Sequence, residues 1–224
     1  MKRVVVALIL LVSILISSPA AITYLDPTPY FGANDSPFFD EIVSGLVVLE
    51  DFEDGALNVP GVIAHCGGPI SARPSVDEDD GAIDGDGFGT SFSTGGSPRC
   101  LRTFDFEFSP VFGGQLPTLI GMVMVDGVRV LNGEGMFVHE VEVSLFDEAG
   151  MEIGDMNVIP FPEQFITRDS DTHRFVGFRS DVGISRITVR APRIDHLQFG
   201  IPEPSSGALV ITAGALLLAR RRRR

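Results

Sequence analysis

The sequence predicts an all-β protein, an antiparallel β-sandwich of jelly-roll type, and three observations predict it. Apolar and polar residues alternate strictly in several segments. In LRTFDFEF, Phe104, Phe106 and Phe108 share one face while Asp105 and Glu107 share the other. Short runs are separated by turn signals such as Asp54-Gly55, Asp126-Gly127 and Asp147-Glu148-Ala149-Gly150. No stretch of the body keeps a 3.6-residue period over three turns, so nothing there reads as a long amphipathic helix.

The chain has 224 residues and 44% hydrophobic content, enough for one domain with a core of its own. It opens MKRVVVALILLVSILISSPAA. Two positive charges precede an apolar run from Val4 to Ile16, and Ser18-Pro19-Ala20 supplies small residues for cleavage after Ala20. Residues 1–20 therefore read as a secretory signal helix. The 13-residue run is short for an uncleaved anchor, which needs about 20. Residues 21–44 are rich in Pro, Asp and aromatics and read as an irregular N-terminal lead.

The β domain is placed at 45–200. GLVVLEDFE and LNVPGVIA are its first strands. Residues 67–98 are almost all Gly, Ser, Asp and Pro. Such a length without apolar periodicity is functional, locally ordered or disordered. PTLIGMVMV is a continuous apolar run. VHEVEVSLF alternates Val141, Val143 and Leu145 with Glu140, Glu142 and Ser144, and HRFVGFRSD, GISRITVR and RIDHLQFG complete the set.

The formal net charge is −13, but the body is more acidic than that. From Ile22 to Pro202 there are 10 basic and 29 acidic side chains and no lysine. Such a surface repels phosphate backbones, so nucleic acid is excluded as a partner. Cys66 and Cys100, 34 positions apart, are an even pair in an exported chain and suggest one disulfide, with two free thiols as the alternative.

Two groups of acids are candidates for a calcium site. The first is the loop VDEDDGAIDGDGFG, in which Asp77, Asp79, Asp80, Asp84 and Asp86 crowd together with Glu78. Calcium takes six to eight oxygens, and glycines let a loop close around it. Asp77-x-Asp79-x-Gly81 begins like an EF-hand loop, but Phe88 stands where that loop has its bidentate Glu. A solvated acidic loop is the alternative. The second is Glu53, which ends the first clear strand, with Asp195 in the last. Asp195 shares parity with Leu197 and Phe199 and so points inward, where a carboxylate needs a partner or a metal. That pair resembles the structural-calcium arrangement of galactose-binding-like jelly rolls. A salt bridge to Arg193 or Arg174 is the alternative.

No catalytic residue stands out. None of His65, His139, His173 and His196 adjoins a nucleophile motif, and Ser91 and Ser93 lie in no Gly-x-Ser-x-Gly elbow. The chain has no Trp and only Tyr24 and Tyr30 for stacking on sugar rings.

The chain ends IPEPSSGALVITAGALLLARRRRR. The uncharged run from Ser205 to Ala219 is 15 residues, a short apolar helix of roughly 22 Å against a bilayer core of about 30 Å. Arg220, Arg221, Arg222, Arg223 and Arg224 would stay cytoplasmic or at the headgroups. Pro202-Glu203-Pro204, the apolar stretch and the arginine cluster together resemble a bacterial PEP-CTERM sorting signal over residues 201–224. SVDEDDGAIDGDG, LPTLIGMVMVDG and RIDHLQFG resemble segments in the bodies of such proteins. The resemblance implies transient membrane retention and processing by an exosortase near Pro202-Glu203-Pro204. The product would pass to the cell surface or extracellular matrix, with exopolysaccharide as a candidate partner. The expected function is thus an exported, non-enzymatic surface protein. The alternative is a secreted hydrolase that attacks matrix glycans with a carboxylate pair.

Overall fold

The structure is a computed structural model that describes residues 20–71, 75–83, 89–94, 100, 103–111, 113–126, 128–131, 137–153, 157–161, 173–191 and 193–201. Residues 1–19 of the segment read as a signal, the tail with Pro202, Glu203, Pro204 and Arg220 to Arg224, and Asp84 and Asp86 lie outside the described residues. Among the described residues, no helix is long and apolar enough to cross a membrane.

Among the described residues, thirteen strands form two antiparallel sheets. The first sheet contains β1 (Ile22–Pro29), β2 (Val47–Glu50), β4 (Gly68–Ser71), β5 (Thr90–Ser93), β7 (Leu119–Asp126), β11 (Arg174–Ser180) and β13 (Arg193–Gly200). Its order is β1-β11-β7-β13-β5-β4, with β2 also on β13. The second contains β3 (Val62–Cys66), β6 (Thr103–Phe108), β8 (Val128–Leu131), β9 (Phe137–Phe146), β10 (Asn157–Phe161) and β12 (Arg186–Arg190). The chain crosses between sheets repeatedly, as a jelly-roll sandwich requires. The all-β expectation holds.

Phe104, Phe106 and Phe108 point inward from β6 to meet Phe92 and Phe199 across the sandwich. The run in β7 is apolar on both faces because both are covered. Ile120, Met122 and Met124 join the core between the sheets, while Leu119, Val123 and Val125 join a second core outside the first sheet. Residues of the N-terminal lead and the acidic loop supply that outer core with Tyr30, Phe38 and Val76. The molecule has a partial third layer.

The lead is therefore not irregular, which corrects the sequence reading of residues 21–44. Residues Ile22–Pro29 form β1, paired with β11 from Ile22↔Ser180 to Pro29↔Arg174, and a short helix α1 (Phe39–Val43) follows. Pro27 and Pro29 argue against a strand only where both edges are hydrogen-bonded. Here β1 is an edge strand, and its register shifts between Leu25 and Thr28, around Pro27.

The long polar stretch after Cys66 is locally ordered where it is described, carrying β4, a 3₁₀ turn at Asp77–Asp80 and β5. Cys66 and Cys100 are disulfide-bonded, with Cα atoms 5.5 Å apart.

Candidate functional site: a buried polar centre on the last strand

Strand β13 has β7 along one edge. Its other edge is shared, with β5 at Arg193–Ile194 and β2 at Leu197–Gly200. Asp195 and His196 fall in the gap between those neighbours. The register against β7 slips between Asp195 and Gln198, and His196 adopts φ +41, a conformation uncommon for a side-chain-bearing residue. The bulge resets the alternation. Ile194, Leu197 and Phe199 stay in the inner core, while Asp195, opposite Val123, faces the outer layer. Simple parity put Asp195 with Leu197 and Phe199. The structure buries it completely, but on the other face.

The acidic loop comes to meet it. Glu78 anchors the 3₁₀ turn to the lead: its N–H donates to the Phe31 carbonyl at 2.9 Å, and its Oε2 accepts the Ala33 N–H at 2.7 Å. Gly81 ends the turn at φ +89, where a side chain would be strained. Asp195 Oδ2 accepts the Val76 N–H and the Ser75 hydroxyl, each at 3.0 Å, and Oδ1 accepts the His196 N–H at 2.9 Å. Asp79 Oδ1 lies 2.9 Å from His196 Nε2, and Asp79 Oδ2 is paired with the Ser75 hydroxyl. The side chains of Asp79 and His196 are each only 4% exposed.

Glu53 reaches the same place from the end of β2. Its Oε1 accepts the Thr90 N–H. A Cβ on Gly89 would stand 2.5 Å from Glu53 Oε1, 2.8 Å from Asp79 Cβ and 2.9 Å from Ser75 Oγ, so only glycine fits at this point. A chain of polar groups leads away on the other side. His196 Nδ1 is 2.9 Å from the Tyr30 hydroxyl, Gln198 Nε2 donates to that hydroxyl at 3.1 Å, and Ser36 donates to Gln198 Oε1 at 2.6 Å.

The two acid groups singled out in the sequence thus contribute to one centre. Glu53 and Asp195 come from the strand pair and Asp79 from the loop. Asp77 is buried in the same turn but does not belong to the cluster of Asp79, Asp195 and His196, whose donor atoms lie within 4.8 Å of one another. Sequence reasoning passed over His196. The signal was present in Asp195-His196, a carboxylate and an imidazole side by side in a strand, but alternation would send them to opposite faces.

The centre is short of positive charge. Ser75 has one hydroxyl proton and stands between two carboxylate oxygens, so it satisfies only one of them at a time. Burial raises the pKa of Asp195 and prevails over the field of His196, which opposes the rise, while Asp79 adds a smaller repulsion. Glu53 is raised by partial burial, with Asp79 and Asp51 as repulsive neighbours. Burial opposes the charging of His196, yet its hydrogen bond to Asp79 and the field of Asp195 win, and its pKa rises.

His173 behaves oppositely. It is 1% exposed, its Nδ1 has no hydrogen-bond partner among the described residues, and burial pulls its pKa down to about 4 despite nearby Asp77 and Asp79. Unfolded, it titrates near 6.5. Below that pH the unfolded chain takes up a proton that the folded chain refuses, so this group makes stability fall with pH until about 4. The raised carboxylates act in the opposite sense. The comparison of wild type with His173→Gln isolates the histidine: the wild type should lose about 2 kcal/mol more between pH 7 and 5. Denaturant titrations at both pH values measure it, and equal losses would contradict the assignment.

Carboxylates also line grooves at one end of the sandwich. Glu107, Glu148, Phe146 and Arg186 border a cavity of about 380 Å³, and Glu148 and Asp181 border a neighbouring one of about 700 Å³. Glu107 and Glu148 are both exposed, and Glu107 is engaged by His65 at 2.8 Å.

No protein-family model and no curated protein matches this chain. Among solved structures, the enzymatically active domain of bacteriophage CBA120 tailspike protein 4 overlaps 77% of this chain and 20% of its own, with 14% identity and a TM-score of 0.25. An overlap of that size carries no argument about fold or activity.

Proposed function

We propose that this chain is exported, processed at both ends, and displayed at the cell surface or in the extracellular matrix as a non-catalytic structural domain. The observation that carries the reading is the disulfide between Cys66 and Cys100, in a body preceded by a signal-like segment. Such bonds persist in oxidising compartments. The burial of the polar centre supports the non-catalytic part, because a substrate cannot reach side chains that are 4% exposed. The hydrolase reading would attach to Glu107 and Glu148 in the end groove. Acid–base pairs of that kind need unlike environments to separate their protonation states, and these two are both solvated.

A contact at the start of the domain supports cleavage after Ala20. The Ala21 N–H donates to Asp181 Oδ1 at 2.8 Å, and the Asp181 N–H donates to the Ala21 carbonyl at 3.2 Å. Cleavage would convert that N–H into an ammonium group facing a carboxylate, a stronger contact than the amide it replaces. At the other end, β13 runs to Gly200 and the sorting-signal resemblance begins at Ile201. An exosortase acting near Pro202-Glu203-Pro204 would cut just outside the folded body. The membrane is then a transient partner and exopolysaccharide the candidate final one.

The test is the intact mass and terminal sequence of the protein recovered from its host's surface. It should begin Ala21-Ile22-Thr23, lack Arg220 to Arg224, and weigh two hydrogens less than the dithiol. Full-length tails on exported protein would refute the processing, and turnover of matrix glycan abolished by Glu148→Gln would refute the non-catalytic role.

A further inference from the structure

We propose that Asp79, Asp195 and His196, with Glu53 beside them, bind one divalent metal ion of the zinc class, and that the ion fastens the acidic turn to the last strand. Two independent features of the surroundings point to a ligand there. Ser91 is completely buried and its hydroxyl has no hydrogen-bond partner among the described residues. It lies one residue beyond the Ile194–Phe92 pair, on the side towards Asp195. Because Phe92 fills the inner core, Ser91 faces the outer layer, as Asp195 does. His173, also buried, has a ring nitrogen without a partner among the described residues and is within electrostatic reach of Asp79 and His196. Buried polar atoms without partners are rare and point to a water or an ion as the missing partner.

The donor set identifies the metal. Hard calcium prefers six to eight oxygens, whereas one imidazole and two or three carboxylates suit zinc and its neighbours. The three donor atoms already lie within 4.8 Å of one another, so bonds of about 2.0 to 2.2 Å need only a small contraction. The ring is held for this role from behind. With Nε2 on the metal, Nδ1 keeps the proton and donates it to the Tyr30 hydroxyl, which lies 2.9 Å away and is itself fixed by Gln198. Binding releases to solvent the proton that Nε2 otherwise shares with Asp79. It also relieves Ser75, whose single proton then needs to serve only one carboxylate. Tyr30 is a positioning residue, since it would act on the metal only through His196. The proposal stands independently of export and processing, which can fail without touching it.

The experiment uses the full chain, stripped with a chelator and dialysed against equal concentrations of zinc, manganese and calcium before elemental analysis. One equivalent of zinc is expected. Zinc affinity should fall by at least about tenfold in His196→Gln and in Asp79→Asn, and by about tenfold in Tyr30→Phe. Tyr30→Phe keeps the stacked ring against Phe175, so it reports on the site even if the ligand variants fold poorly. In the cobalt-loaded wild type, visible absorption should show a low-coordinate site with nitrogen and oxygen ligands. Three results would each overturn the assignment: no metal at stoichiometric level, calcium retained in preference to zinc, or zinc affinity unchanged in Tyr30→Phe.

Discussion

Asp195→Ala should destabilise the metal-free protein by about 3 kcal/mol at neutral pH, lowering its melting temperature by roughly 10 °C. The carboxylate accepts hydrogen bonds from the Val76 N–H, the His196 N–H and Ser75, all buried. Alanine leaves two backbone donors without acceptors, and such a donor costs about 1 to 3 kcal/mol. One term opposes this loss. Asp195 repels Asp79, and its raised pKa says that its charged form is held reluctantly, so deletion removes some strain. Asp195→Asn separates the two effects. It abolishes the charge and keeps one acceptor oxygen, so its loss should be about half as large. Thermal melts of the two variants check this, and equal stability of Asp195→Ala and wild type would show that the centre does not hold the turn.

Removing the disulfide should cost as much or more. Replacing Cys66 and Cys100 by serine frees a loop of 34 residues, worth about 4 kcal/mol of unfolded-state entropy in the chain-entropy model. The loop contains β4, the acidic turn and β5, and through them the attachment of Asp79 and Ser75 to β13. The double variant should therefore unfold at lower denaturant and lose protection first in residues 68–71, 75–83 and 89–94. An unchanged denaturation midpoint would contradict this.

The alternating strands were legible because their physics is local. Phe104, Phe106 and Phe108 face the core as their spacing demands. The lead was not legible. Its prolines are strand breakers at an interior position and harmless at an edge, and edge status belongs to the whole sheet. The centre was half legible. Glu53, Asp79 and Asp195 stood out as acids in apolar or glycine-rich company. That they meet depends on a gap between β5 and β2 on the edge of β13, a non-local fact. Asp195 also shows the limit of parity: one bulge at His196 reverses every face assignment on one side of it. The acidic segment left two readings open, a calcium site or a solvated loop. Val76, Ser75 and Asp77 are 0%, 0% and 1% exposed, so this part of it is not solvated. Burial there comes from the lead and from the outer face of the first sheet.

This acidic turn is an integral layer of the fold, held by the Asp195 centre. Hydrogen exchange of residues 75–83 in the full chain tests it most directly. The Val76 N–H, bonded to Asp195, and the Glu78 N–H, bonded to Phe31, should exchange with the slow amides of β13, and both should become fast in Asp195→Ala. Complete exchange of these amides within seconds in the wild type, with β13 still protected, would show a solvated loop and contradict the account.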